Sequence, residues 1–236
     1  LAMIGYTMQL YFDFSGYSDM AVGLGLMMNI NFPQNFNSPY KSFSITEFWQ
    51  RWHMTLSSWL RDYLYISLGG NRGTKFKTYR NLFLTMMIGG LWHGGNWTYA
   101  IWGIFHGLLL AVERFFKDHN LPRITNRYLK FALTFLLINV GWVFFRSPSF
   151  SVALVWLQKV FLLNSHLSWD LRFVSERYRG RFFVALGIGS ILAFFSKNIW
   201  QVKFKTNLWT AAGLALMFII CLMFMSEDSP FLYFQF

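Results

Sequence analysis

The chain reads as long apolar runs separated by short, mostly basic connections. A helix that crosses a bilayer needs roughly 20 mostly apolar residues. Residues 1–30 meet that requirement, interrupted by Asp13 and Asp19, and 130–145, 182–195 and 207–225 are further candidates. Residues 82–112 are long enough for a broken span or a tight helical hairpin, and Gly89, Gly90, Gly94 and Gly95 supply a place to turn. Residues 150–163 are too short to assign. Between the first two runs the period changes. Ser44-Ile45-Thr46-Glu47 fits a capping box. From Phe48 to Tyr65 a 100° step gathers Phe48, Trp49, Trp52, Leu56, Trp59, Leu60, Tyr63 and Leu64 on one side, with Arg51, Thr55, Ser58 and Asp62 opposite. This pattern predicts one amphipathic helix lying in the membrane interface, with His53 turned inward beside Leu60 and Leu64. The predicted fold class is all-α: a polytopic transmembrane helical bundle with interfacial amphipathic helices and a broken or re-entrant central segment.

Composition supports a membrane setting. Of 236 residues, 55% are hydrophobic, 21% aromatic and 13% charged, against about 25% charged in soluble domains. Twenty-eight Phe, 11 Trp and 11 Tyr suit lipid-facing helices with aromatic belts. The formal net charge is +11, but the basic residues lie between apolar runs and form no continuous stripe. Membrane lipids, and not nucleic acid, are therefore the expected counter-charge. Cys221 is the only cysteine, so no intrachain disulfide, thiolate metal site or cysteine redox pair is available, and no metal is expected. The first residues carry no basic leader or cleavage site, and the chain is expected to begin within a longer protein whose upstream helices are missing.

Charge bias also predicts sidedness. The segments 32–81 and 113–130 are both basic, which places both flanks of 82–112 on the cytoplasmic side. The loops 164–181 and 197–206 are basic as well, so the side of the C-terminal region stays unassigned.

His93 stands in Gly-Gly-Leu-Trp-His-Gly-Gly-Asn-Trp, with no charged residue between Arg80 and Glu113. An ionisable residue in such a stretch normally faces a protein-lined cavity and is a functional candidate; the bland reading is a histidine hydrogen-bonded between helices. His106 lies thirteen residues on, about 220° away on an unbroken helix, so only a break at Gly94-Gly95 brings the two together. A buried structural histidine is an equal reading for it. An inward His53 either orients a substrate and assists proton transfer or braces the bundle. Asp13 and Asp19 need partners within an apolar run; six residues apart, about 240°, they are not a paired acid/base dyad. Asn96, or backbone N–H groups freed at the glycine break, could stabilise an oxyanion. Gly69-Gly70-Asn71-Arg72-Gly73 is a turn and lacks the continuation of a phosphate loop.

Several of these segments occur in a familiar order. Gln9 to Gly23, Phe48-Trp49-Gln50-Arg51-Trp52-His53, Trp59-Leu60-Arg61-Asp62-Tyr63-Leu64-Tyr65, Leu68-Gly69-Gly70-Asn71-Arg72, Trp92-His93-Gly94 and the ending Pro230-Phe231-Leu232-Tyr233-Phe234-Gln235-Phe236 together resemble the membrane-bound O-acyltransferase (MBOAT) family, in its bacterial alginate O-acetyltransferase-like branch. The resemblance is dense over 5–115, a motif-bearing core, and thin over 116–229, where only hydrophobicity supports it. It implies one membrane-embedded region over 1–236, with 116–236 supplying C-terminal transmembrane helices. The family histidine falls on His93 and a second family histidine on His53. No cofactor is bound; the co-substrate is an acyl thioester resembling acetyl-CoA, presented from the cytoplasmic side of a bacterial inner membrane. The acceptor is a hydroxyl, often reached through a periplasmic acetyltransferase partner. Neutral His93 acts as general base, with a covalent acyl-histidine as the other route. Related D-alanyl exporters of teichoic acid share the Trp-His core. The rival function is a transporter or flippase in which Asp13, Asp19 and the histidines form a pathway; a scaffold that only anchors a partner is a third.

Overall fold

Among the described residues every regular element is helical. The computed structural model describes residues 1–161, 176–205 and 207–224; the Pro230–Phe236 motif lies outside them. Helix α1 (Ala2–Met27) takes up the first apolar run. The polar segment that follows holds two short helices, α2 (Ile45–Trp49) and α3 (Met54–Trp59). Then come α4 (Lys75–Trp92), α5 (Trp97–Asp118), α6 (Arg127–Arg146), α7 (Phe150–Val160), α8 (Glu176–Phe195) and α9 (Leu208–Phe224). By length and composition α5 and α6 are apolar enough to cross a membrane.

The stretch 82–112 is the expected hairpin, and α4 starts earlier than its apolar run because Thr74 caps it through Lys77 N–H. The two helices run antiparallel: Lys75 Nζ donates to the Asp118 carbonyl (2.8 Å) and Tyr79 Oη to Asp118 Oδ2 (3.2 Å) at one end. At the other end the chain turns through His93–Asn96, with Gly94 at φ +155°. Gly89 and Gly90 do not make that turn. They lie inside α4, where Gly90 lets the α4 and α5 backbones approach closely and Gly89 makes room for the Leu60 side chain. Gly107 meets Phe83 on the same seam, where an added Cβ would lie 3.0 Å from Phe83 Cα.

The single amphipathic helix over 48–65 is not formed. Ser44 caps α2 by accepting from Glu47 N–H (3.0 Å), and Glu47 accepts from Phe43 N–H (2.8 Å), one residue beyond the Ser44 N–H that a regular capping box uses. The helix then stops, because His53 adopts a left-handed conformation (φ +45°) and restarts the chain as α3, which passes into a wide π-type turn over Leu60–Tyr65. The break divides the predicted face. Phe48 and Trp52 enter the core, whereas Trp59 and Tyr63 are exposed at 53% and 69%. Arg51 is only partly exposed, and it pairs with Glu47 (2.8 Å) and donates to the Asn37 carbonyl (3.1 Å).

Long-range hydrogen bonds order the remaining helices. Thr7 Oγ1 donates to Asn139 Oδ1 (2.7 Å) and Tyr40 Oη to the Thr7 carbonyl (2.8 Å), which ties α1, α6 and the 39–41 turn together. Helix α8 runs parallel to α1, with Phe182 against Gly5 and Phe12 against Gly189. It ends where Lys41 Nζ donates to the Ser196 carbonyl and Asn198 Nδ2 to the Phe36 carbonyl (3.1 Å). The basic loop 197–205 therefore sits at the end that holds Lys41. Asn96 Nδ2 donates to the Pro148 carbonyl (2.8 Å), which puts the end of α6 beside the hairpin turn.

Candidate active site

Helix α4 ends on His93, its C-cap, whose N–H donates to the Gly90 carbonyl (3.1 Å). Eighteen residues at about 1.5 Å each place His93 roughly 27 Å along the axis from Lys75, at the far tip of the hairpin. Remoteness from charge in sequence has thus become position at one end of the bundle. The imidazole packs edge-on against Trp92 (5.0 Å between ring centroids), Trp102 (5.2 Å) and Phe145 (5.2 Å), so α4, α5 and α6 each contribute one wall. The N-terminus of α5 opens at the same turn and brings the positive end of its dipole near the ring.

His53 reaches the same neighbourhood from the segment between α1 and α4. Its ring stands edge-on to Phe14 (4.7 Å) and its Nδ1 bonds Asn35 Oδ1 (3.0 Å). Asn35 Oδ1 also accepts from Thr55 N–H (3.3 Å), an obligatory donor, which fixes the amide orientation. His53 Nδ1 must then donate, and in the neutral ring the lone pair lies on Nε2. Burial pushes the His53 pKa down to about 3, and His93 lies close enough to lower it further. His53 is neutral at ordinary pH and shares an electrostatic environment with His93.

The break at the glycines also brings His106 near. Trp102 separates the two rings, 5.2 Å from each. His106 is fully buried; its Nδ1 accepts from the Trp49 indole N–H (3.3 Å), and Phe48 stacks on it at 6.4 Å. Its other nitrogen faces Gly141, where an added Cβ would sit 2.6 Å from Nε2. It is a wall residue behind Trp102.

Three further candidates have other surroundings. Asn96 Oδ1 accepts from Thr98 N–H (3.2 Å) as the cap of α5, and its Nδ2 donates one N–H to the Pro148 carbonyl (2.8 Å). Asp19 is exposed on α1 and Asp13 half-buried; their apolar surroundings in sequence do not translate into two buried carboxylates. Among the described residues no group of three or more metal-ligating side chains occurs.

With a histidine at the tip of a helical hairpin, walled by Trp92, Trp102 and Phe145 and close to a second histidine, the sequence relationships acquire a structural counterpart. Residues 1–147 match the membrane-bound O-acyltransferase family. The chain belongs to the MBOAT family. It is 56% identical over 220 residues to a probable alginate O-acetylase AlgI of Pseudomonas aeruginosa, covering 90% of this chain and 41% of that protein. A peptidoglycan O-acetyltransferase of Helicobacter pylori is 42% identical over 261 residues, covering 100% of this chain and 49% of that one. A teichoic acid D-alanyltransferase of Bacillus subtilis is 39% identical over 166 residues, covering 64% and 41%. The chain thus spans about half or less of the length of these MBOAT relatives.

Three positioning residues in this MBOAT chain were missed in sequence. Asn35, in the segment after α1, holds His53 and Thr55 and donates to Ser18 Oγ (3.2 Å). Glu113, on α5, clamps the start of α2 by accepting from Ile45 N–H (2.6 Å) and Thr46 N–H (2.9 Å), which sets Phe48 and Trp49 against His106. Asn81, buried in α4, donates to the Leu68 and Gly70 carbonyls and pins the Gly69–Gly73 turn. Local sequence carries no sign of these partners, which lie 11 to 68 residues away.

Proposed function

We propose that the chain is the core of a multi-pass O-acyltransferase of the bacterial inner membrane, moving an acetyl group from a cytoplasmic thioester to a hydroxyl of an extracytoplasmic polysaccharide such as alginate. The observation that carries this reading is His93 at the hairpin tip, with His53 beside it and neutral. His93 removes the proton from the acceptor hydroxyl as its oxygen attacks the thioester carbonyl. The tetrahedral intermediate collapses with cleavage of the carbon–sulfur bond, and the departing sulfur takes the proton back from His93. A positioned base of this kind contributes about 10²- to 10⁴-fold. The nascent oxyanion is stabilised by the N-terminal end of α5. His53, held through Nδ1, presents its Nε2 lone pair and orients the reacting groups. The basic end, with Lys41, Lys75 and Lys117, faces the cytoplasm and the acetyl-CoA-like donor; a periplasmic acetyltransferase partner receives or relays the group on the His93 side.

The relatives named for alginate O-acetylation and peptidoglycan O-acetylation support acetyl transfer ahead of the D-alanyl transfer named for the Bacillus protein, through the higher identity and fuller coverage of this chain. The test is donor thioester consumption by the protein reconstituted in liposomes, with and without His93. Loss of thioester cleavage in a folded His93→Ala protein supports the reading; transport of a substrate without thioester cleavage refutes it.

A further inference from the structure

Helices α1 and α8 leave a cleft between them that the acyl-transfer chemistry does not use. The cleft, about 1040 Å³, is walled by Met8 and Phe12 of α1 and by Phe182, Leu186 and Gly189 of α8. The parallel packing from Gly5–Phe182 to Phe12–Gly189 covers seven residues on each helix, or about 10 Å of length. The walls are mostly apolar along this path, with Gln9 of α1 the one uncharged amide among them. Charge enters at one end only, where Arg146 closes α6 and Arg181 stands near the start of α8. Arg146 lies over the Tyr6 ring, 5.6 Å from its centroid. A small annex of about 50 Å³ continues inward past Met3, Val143 and Trp142.

The position of these arginines is unusual. Arg146 follows Phe145, which packs on His93, so both guanidiniums lie at the hairpin-tip end and not at the end bearing Lys41, Lys75 and Lys117. Basic residues normally avoid the side opposite the cytoplasm. Arginine, with its planar fork of donors, is suited to phosphate oxygens. A largely apolar trough with two guanidiniums at one end matches an amphiphile with an anionic head and acyl tails. A water-soluble acidic sugar chain would leave the trough's long apolar walls without a partner.

We propose that this cleft is a specific site for an anionic phospholipid, its phosphate held by Arg146 and Arg181 and an acyl chain lying between α1 and α8. The site rests on the membrane topology proposed above and not on the chemistry at His93. An occupied cleft braces the end of α6, and through Phe145 the wall of His93.

The test uses the whole protein in detergent, titrated with phosphatidylglycerol or phosphatidylcholine and read by native mass spectrometry, a readout that needs no turnover. One phosphatidylglycerol is expected to be retained in preference to phosphatidylcholine. With roughly 1 kcal/mol per basic residue near a lipid surface, each of Arg146→Gln and Arg181→Gln should lower that preference about fivefold. Ala185→Trp, which fills the trough and keeps both charges, should expel the lipid, and Arg61→Gln, outside the cleft lining, should change nothing. Equal retention of the two lipids overturns the proposal, as does an unchanged preference in the double arginine variant. Displacement of phosphatidylglycerol by a soluble oligouronate, one for one, reassigns the cleft to an acidic polymer. Cysteine labelling of Pro148→Cys tests the topology separately, so failure of the lipid site and failure of the topology are told apart.

Discussion

Gly90 and Gly103 face each other across the α4–α5 hairpin so closely that a Cβ on Gly90 would lie 2.9 Å from Gly103 Cα. Nothing but hydrogen fits there, and the contact is what brings the tip of α4, and therefore His93, against Trp102. Gly90→Ala or Gly103→Ala is expected to cost about 1–3 kcal/mol through overpacking and to lower acyl transfer even in the folded fraction. Gly16, on α1 with open space around it, is the control. Gly16→Ala should leave both thermal stability in detergent and activity unchanged or slightly improved.

His93 and His106 touch the same indole, but their surroundings assign them different work. His93→Ala should remove acyl transfer by about 10²- to 10⁴-fold with little change in melting temperature. His106→Ala should do the reverse: it strands the Trp49 indole donor and empties a packed site, for a loss on the order of 3 kcal/mol. Gly141→Ala should mimic it by pressing a methyl on His106 Nε2. Paired measurement of unfolding and specific activity separates the two; a stable, inactive His106→Ala protein would move His106 into the chemistry.

Much of this arrangement is legible from local pattern. The hairpin over 82–112 follows from two basic flanks and a glycine cluster, and the capping of α2 from Ser44 and Glu47. The prediction over 48–65 fails for a definite reason. Periodicity assigns faces on the assumption of continuous helical dihedrals, and the left-handed residue at His53 cancels that assumption halfway along. The pull that favours the break is tertiary: Asn35 accepts from His53 and Thr55 while its carbonyl accepts from Met54 N–H (2.9 Å). Asn96 has a second reading for which no chemistry is needed, because a polar side chain just before α5 is also what a helix N-cap requires.

The pKa of His53 gives a pH dependence with a definite sign. Its folded value, about 3, lies below the ordinary 6.5, so the denatured protein takes up a proton that the native protein does not. Its stabilising contribution is fully present above about pH 6.5 and declines as pH falls toward 3, with a limiting slope of about 1.4 kcal/mol per pH unit. Wild type should therefore lose stability on acidification more steeply than His53→Gln. Parallel curves for the two proteins between pH 6.5 and 4 would remove His53 from the buried site.

Topology offers the last prediction, and the hydrogen bonds make it sharper than charge counting does. Lys75 donates to the Asp118 carbonyl, so the start of α4 and the end of α5 are at one end of the bundle. Lys41 reaches Ser196 and Asn198 reaches Phe36, which brings the loop 197–205 to the end shared by the 36–41 segment. Asn96 reaches Pro148, which sets residues 93–96 and 148 at the opposite end. The ambiguous basic loop, over its described residues 197–205, is therefore assigned to the side of Lys41 by contact. In a Cys221→Ser background, cysteines placed at Lys75, Lys117 and Lys203 should react with a membrane-impermeant maleimide from the cytoplasmic side only, and one at Pro148 from the other side only. Labelling of positions 75 and 117 from opposite sides would break the hairpin as a same-side unit. It would also separate His93 from the acceptor side, leaving the two-sided acyl transfer without a path.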